Sequence, residues 1–255
     1  MQEVLERATG PSGEEMELRR HEGGFVVVRD GQVVLASAAR RSERELVRFG
    51  LAHLQDRNDV TVLLGGLGMG HTLSALLDEP CVARVDVVEQ SAAIVQWNRT
   101  YLSVLHNRPP LADERVHVHT TEFTLYLRRL LEGKQDGPPP THGGHFLAVV
   151  LDLDNGPSVL WQTSNGLLYT PQGLALLEEV LRPGGVLSLW SERREPELMQ
   201  ALRLRFQNLA EIAIPVDLPN QGLDYLYRGR RGALPKTTSE PGASSRSSNG
   251  HSGRN

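Results

Sequence analysis

The sequence predicts an α/β fold, a mostly parallel sheet with helices on both faces. Three observations carry this. From Val60 onward, short apolar runs alternate with longer amphipathic segments, the rhythm of successive strand–helix units. The first of these runs, Val60-Thr-Val-Leu-Leu, enters the cluster Gly65-Gly-Leu-Gly-Met-Gly70 and then a helical pattern. The chain has 255 residues, of which 39% are hydrophobic, enough for one large domain with its own core.

Ahead of the strand–helix units, Phe25-Val-Val-Val28 and Val33-Val-Leu-Ala36 flank Asp30-Gly31. Asp-Gly between two β-branched runs is a hairpin signal, so residues 1–41 read as a small N-terminal β-element. Ser42-Glu-Arg-Glu45 matches a capping box, and Leu46, Phe49, Gly50, His53 and Leu54 share a face of the helix it would open. The domain that follows runs to residue 232. Its expected strands are 60–64, 85–88, 116–119, 146–151 and 186–190, and its helices are 71–78, 91–104, 122–132 and 171–181. Thr170-Pro171 is a cap followed by proline at the first helical position, and Arg182-Pro-Gly-Gly185 reads as a helix stop and turn. A helix over 196–209 precedes two strands, 211–216 and 224–228, which could close the sheet as an antiparallel pair. Residues 133–144 hold three consecutive prolines and read as a loop. Residues 233–255 are Ser/Gly-rich, with no large apolar side chain after Leu234, and read as a disordered tail.

Composition excludes several functions. A net charge of −4 and a pI of about 6.1 do not suit a phosphate-backbone binder, so no nucleic-acid partner is expected. Cys81 is the only cysteine, which rules out an intrachain disulfide framework and fits a reducing cytoplasm. The N-terminus lacks a signal-peptide core, and no apolar run is long enough to span a membrane.

The chemistry concentrates at the expected strand ends. Gly66-x-Gly68-x-Gly70 is neither the dinucleotide fingerprint nor a phosphate loop; its spacing is more typical of folds that bind a sulfonium nucleoside. Glu89 ends the strand Arg84–Val88, about 20 residues past the last glycine, where a carboxylate can accept both ribose hydroxyls. Glu122 follows the third strand, where an adenine edge would lie. Asp152-Leu-Asp154-Asn-Gly-Pro157 leaves the fourth strand with two carboxylates. Ligands of such sheets sit beyond the carboxyl ends of the strands, so Gly66, Glu89, Glu122 and Asp152 are expected to face one cleft. Plainer readings exist for each. The glycines can serve a turn, Glu122 can serve the helix dipole, and Asp-Asn-Gly-Pro is turn chemistry by itself. His117 and His119 lack a third ligand at metal spacing, Trp97, Trp161 and Trp190 read as packing residues with Trp161 a possible cleft wall, and Arg228–Arg231 reads as solvated charge.

Over roughly residues 24–230 the sequence resembles the spermidine/spermine synthase (polyamine aminopropyltransferase) family. Phe25–Ala36, with its Asp-Gly-Gln turn, is similar to the family's N-terminal β-element. Gly65–Gly70 lies where the family has GGGDGG, and Val87-Val-Glu89 is similar to its ribose-binding strand end. Asp152–Pro157, with Leu160-Trp161 and Leu168-Tyr169, resembles D-x-x-D-P-x-G-P and the stretch after it, and Leu181-Arg-Pro-Gly-Gly-Val-Leu187 resembles L-x-P-G-G-x-L. The resemblance implies a Rossmann-like fold of the class I S-adenosylmethionine-dependent methyltransferase type, and a possible homodimer. It implies decarboxylated S-adenosylmethionine as co-substrate, a small amine as acceptor, and no metal. Gly65, Gly66, Gly68, Gly70, Glu89 and Glu122 would bind the donor. Asp152 would take or relay the amine proton, and Asp154 would hold the cationic acceptor. Gly68 stands where the family's loop has the aspartate that holds the donor's amine, and of the family's D-E-x-x-Y-H segment only Glu43 matches. A methyltransferase using intact S-adenosylmethionine, or a nucleoside-binding relative without catalysis, would share the glycine loop and Glu89.

Overall fold

The structure is a computed structural model and describes residues 2–38, 41–134, 146–216 and 222–232. The expected tail and most of the proline loop lie outside the described residues. The chain begins with four strands, β1 (Glu3–Thr9), β2 (Glu15–His21), β3 (Gly24–Arg29) and β4 (Gln32–Ala36), joined as an antiparallel sheet in chain order. This is twice the single hairpin the sequence pointed to. β1 was illegible because it has no buried residue to give it a period.

After α1 (Arg41–Leu51), the chain alternates β5 (Val60–Gly65), α2 (His71–Leu77), β6 (Val82–Glu89), α3 (Ala92–Thr100), β7 (Val116–Thr120), α4 (Phe123–Leu131), β8 (Phe146–Leu151), α5 (Pro171–Val180) and β9 (Leu181–Ser191). α6 (Pro196–Arg203), β10 (Gln207–Pro215) and β11 (Leu223–Arg230) complete it. The sheet order is β10-β11-β9-β8-β5-β6-β7. β5 through β9 are parallel, whereas β11 is antiparallel to β9 and to β10. The path runs outward from β5 through β6 to β7, then returns to place β8 on the other side of β5. That reversal opens a crevice at the carboxyl ends of β5 and β8.

β5 and β8 are buried along their full length, which explains their unbroken apolar runs. Alternate residues feed two cores. Val62 and Leu64 join Leu46, Leu73 and Trp97 on the face of α1, α2 and α3, while Leu63 joins Phe123, Leu127 and Leu177 on the face of α4 and α5. Met16, Leu18, Phe25 and Val27 of the N-terminal sheet belong to the first core, so that sheet is docked onto the larger one.

Three local expectations change. The capping box at Ser42 does not form: α1 already includes Arg41, the Ser42 hydroxyl donates to Asp224, and Glu45 pairs with Arg48 at 3.5 Å. Arg182–Gly185 lies within β9 rather than in a turn, and it is accommodated by a register shift against β8 with Gly184 at φ 78°. Arg228 is not a solvated charge. Its guanidinium lies 4.6 Å from the Phe49 ring centre and donates to the Phe49 carbonyl, tying β11 to α1.

Candidate active site

The loop after β5 is fixed from both sides. The Gly66 N–H donates to the Val88 carbonyl (3.0 Å), and the Asp152 N–H donates to the Gly65 carbonyl (2.9 Å). Gly66 has φ 89°, and a Cβ there would lie 2.2 Å from the Asp152 carbonyl oxygen, so no other residue fits. Gly68 differs. It also has positive φ, yet a Cβ there would meet only Leu35, at 3.9 Å. Its carbonyl is held by the Asn98 side-chain amide at 2.9 Å. Gly65 packs beneath Phe123, Leu151 and Leu153, and Gly70 opens α2 against Asn98 and His106. Gly66 and Gly68 therefore line the cleft, and Gly65 and Gly70 shape the loop.

Glu89 ends β6 directly across from this loop. Its Oε2 accepts from the Leu67 N–H (3.1 Å), and its Oε1 accepts from the Ser91 N–H (2.8 Å). Each oxygen has a second lone pair, so two further donors can be accommodated. Burial pushes the Glu89 carboxyl above the usual range, against the pull of the Ser91 and Leu67 amides. Glu89 lines a cleft with Gly66, Gly68, Ile94, Phe123 and Leu153. A nucleoside needs such an apolar slot with a few directed polar groups.

The loop after β8 carries the other two expected residues. Asp152 Oδ2 accepts from the Thr72 hydroxyl at 2.6 Å. Burial raises its pKa, and the charge of Asp224 raises it further, in opposition to the Thr72 hydrogen bond. Asp154 is only 4% exposed. Its Oδ1 accepts from the Trp161 N–H (2.8 Å) and the Gln162 N–H (3.3 Å), and burial raises its pKa also. The Trp161 indole N–H donates to Asn155 Oδ1 at 3.0 Å, and the Trp161 carbonyl accepts from Arg29 at 2.7 Å. Arg29 in turn pairs with Glu14 at 3.0 Å. The N-terminal sheet thus fastens the Trp161 loop over the cleft.

A second chamber adjoins the first. The two share Val34, Leu35, Gly68, Asp152, Leu153 and Trp161, so Asp152 stands at their junction. The second is acidic. Glu43, Asp152, Asp154, Glu192 and Asp224 line it, and among the described residues its lining includes no Lys or Arg. Low-dielectric walls carrying one sign of charge concentrate the opposite charge. This chamber suits a cation.

Of the four residues expected to face one cleft, the structure brings Gly66, Glu89 and Asp152 together, with Gly68 beside them and Asp154 in the adjoining chamber. Glu122 is the exception. Its carboxylate accepts from the Thr124 and Leu125 amides, at 3.0 and 3.1 Å, as the N-cap of α4. Thr121 and Phe123 line the first chamber, but Glu122 does not. The helix-terminus reading accounts for it, and the adenine-edge role gains nothing from the geometry. Sequence reasoning missed Thr72, Glu192 and Asp224. Thr72 had a signal, since it follows the glycine loop by two residues. Trp161 walls both chambers, while Trp97 is a core residue. Trp190 lines the acidic chamber. His119 is accounted for by Asp86, which it meets at 2.8 Å beside Arg84.

The sheet order, the switch point beside β5 and the nucleoside-shaped slot define an α/β protein of the class I methyltransferase type. Within that class the assignment is specific. Residues 41–215 match the family model described as the spermine/spermidine synthase domain, and the chain belongs to this family. It is 30% identical over 166 residues to polyamine aminopropyltransferase 2 of Pseudomonas aeruginosa, a match covering 64% of this chain and 42% of that protein. The match thus spans less than half the length of that curated relative. Two solved structures share the fold. The spermidine synthase of Thermotoga maritima superposes with a TM-score of 0.69 at 15% identity, covering 91% of this chain and 74% of the other. A spermidine synthase in complex with the transition state analogue AdoDATO gives 0.67 at 16% identity, covering 91% and 73%. Nothing in this set favours the methyltransferase alternative.

Proposed function

We propose that this chain transfers an aminopropyl group from decarboxylated S-adenosylmethionine to a small amine, in polyamine biosynthesis. The observation that carries this is the junction of a nucleoside-shaped slot and an acid-lined chamber at Asp152. The adenosyl group occupies the first chamber, with its ribose hydroxyls donating to Glu89. The aminopropyl arm passes Gly68, where the absent side chain leaves room. A donor retaining its carboxylate would bring a negative charge toward Asp152 and the acidic chamber, and like charges repel, so the decarboxylated donor is favoured.

The acceptor is a primary amine with a pKa of about 10, protonated on arrival. A protonated nitrogen has no lone pair to attack with. Asp152, whose pKa is raised, can take or relay that proton. The freed nitrogen then attacks the methylene carbon bonded to the sulfonium. A C–N bond forms, the C–S bond breaks, and the electron pair neutralises sulfur as a thioether. Asp154 contributes negative charge where the cationic acceptor rests. Holding both reactants in line supplies much of the acceleration, and no step uses a metal.

Mass analysis of products tests this directly. Incubation with decarboxylated S-adenosylmethionine and 1,4-diaminobutane is expected to give the aminopropylated amine and 5′-methylthioadenosine. A methylated product from intact S-adenosylmethionine, or no product although donor is bound, would replace this reading with one of its alternatives. A homodimer is part of the proposal, and sedimentation mass measures it.

A further inference from the structure

Asp152 is held against the segment that carries the glycine loop. Its N–H donates to the Gly65 carbonyl at 2.9 Å, and its own carbonyl lies where a side chain on Gly66 would sit. A further tie comes from Thr72, the second residue of α2, which follows that loop directly. Thr72 is only 2% exposed, and its hydroxyl lies 2.6 Å from Asp152 Oδ2. An ionised carboxylate only accepts, so the hydroxyl donates.

A threonine on a helix ordinarily has a partner at hand, the carbonyl four residues back. For Thr72 that carbonyl belongs to Gly68, and it accepts from the Asn98 side-chain amide at 2.9 Å. The Thr72 hydroxyl instead reaches Asp152, 80 residues away in the chain. Its β-branch restricts rotation of the side chain, and burial keeps water from replacing Asp152 as its partner. Oδ2 is thereby committed to a donor, which leaves Oδ1 as the oxygen able to take a proton. The same hydrogen bond favours the ionised carboxylate, against burial and against the charge of Asp224.

We propose that Thr72 is a positioning residue for the proton transfer: its hydroxyl holds Asp152 Oδ2, so that Oδ1 meets the acceptor nitrogen at a place fixed relative to the donor loop. This rests on the aminopropyltransferase reading. The proton leaves the ammonium nitrogen for Oδ1. The freed lone pair forms the C–N bond, and the C–S bond breaks with its electrons staying on sulfur. The proton on Oδ1 passes to solvent as the products leave. Throughout, Oδ2 keeps a lone pair for Thr72, so the carboxyl group need not rotate between its two states. The bond is stronger to the carboxylate than to the acid. Thr72 therefore keeps the base ionised to lower pH than burial alone would allow.

The test uses Thr72→Val, which keeps the shape without the hydroxyl, and Thr72→Ser, which keeps the hydroxyl. The probes are decarboxylated S-adenosylmethionine and 1,4-diaminobutane. In the Val variant the acid limb of kcat/KM should move to higher pH by about one unit, the size of one lost hydrogen bond to a charge. Below that limb kcat/KM should fall about tenfold, and Ser should restore the wild-type profile. The charged and titratable groups sharing the chambers with Asp152 are Glu14 and Arg29 from the N-terminal region, Glu89 from β6, Glu43 from α1, His71 from α2, Asp154 and Glu192 from loops, and Asp224 from β11. Tyr169 also feels the Asp152 charge. All of these remain in Thr72→Val, so the displaced limb reports the Thr72 bond. In an Asp152→Asn background Thr72→Val should cost almost nothing more, because a residue that acts through Asp152 has nothing left to position. A merely structural Thr72 would lower the thermal midpoint, cost the same in both backgrounds and leave the limb in place, and that result overturns the inference. Should the Val variant not fold, Thr72→Ala removes the same hydroxyl, and an unmoved limb in it overturns the inference equally. Asp152→Asn that turns over normally removes the role of Asp152, and wild-type protein that forms no product removes the reading. Either takes the inference with it, whereas an unmoved limb leaves both standing.

Discussion

The two chambers of the cleft are built by different means. The nucleoside chamber is local. One strand–loop–helix supplies Gly66 and Gly68, and the next strand supplies Glu89. The acidic chamber is assembled from distant segments: Glu43 from α1, Asp152 and Asp154 after β8, Glu192 after β9, and Asp224 from β11. A site made of adjacent units carries its spacing in the sequence. A site made across the sheet carries only its topology. The first kind suits a donor that must always be seated in the same way, and the second can change its acceptor one carboxylate at a time.

The largest expected effect lies in the nucleoside chamber. Glu89→Ala removes the carboxylate proposed to accept the ribose hydroxyls and leaves the Leu67 and Ser91 amides without their acceptor. Two charged hydrogen bonds lost from a buried site cost about 3 kcal/mol or more, so donor affinity should fall by about a hundredfold or more in calorimetric titration. Next comes the junction. Asp152→Asn should lower kcat by about a hundredfold to ten-thousandfold, the range of a lost general base, with donor affinity little changed. Normal turnover in that variant would remove Asp152 from its role and break the division between the chambers.

The same substitution should affect stability in the opposite direction. The Asp152 pKa is raised in the folded protein. A raised carboxyl contributes stability that is fully present below its unfolded pKa and is lost as pH rises through the folded value. Above that folded value the buried charge is therefore a burden on the unliganded protein. Asp152→Asn should raise the thermal midpoint at pH 7 by about 2–4 °C, the shift that about 1 kcal/mol produces in a domain of this size. That gain should disappear at low pH. A smaller effect sharpens the contrast further. Added salt should raise the KM for the diamine in steady-state assays, because the acidic chamber concentrates cations through its charge.

Legibility followed the same division. The β5 run, the glycine loop and Glu89 were readable because a strictly buried strand and a tight turn leave few choices of residue. Asp152 and Asp154 were readable from the end of β8, although the turn chemistry around them offered a plainer reading. Asp224 was invisible, since nothing in Leu223–Arg230 shows that β11 inserts beside β9 with that residue at the cleft end. Ser42 was misread for a related reason. Its capping signature is local, but its hydroxyl is claimed by Asp224, 182 residues away. Glu122 shows the reverse, a carboxylate at a plausible strand end that caps its own helix and does not line the cleft. In the N-terminal sheet, β1 lacked a buried face, so only the hairpin of β3 and β4 declared itself.

The central claim is that the glycine loop and the carboxylate at the end of β6 together seat an adenosyl group. Calorimetric titration of decarboxylated S-adenosylmethionine into wild-type protein and Glu89→Gln tests it most directly. The account predicts saturable binding at one site per chain in the wild type and a loss of about a hundredfold in a variant that still folds. Equal affinity in the two proteins would contradict it.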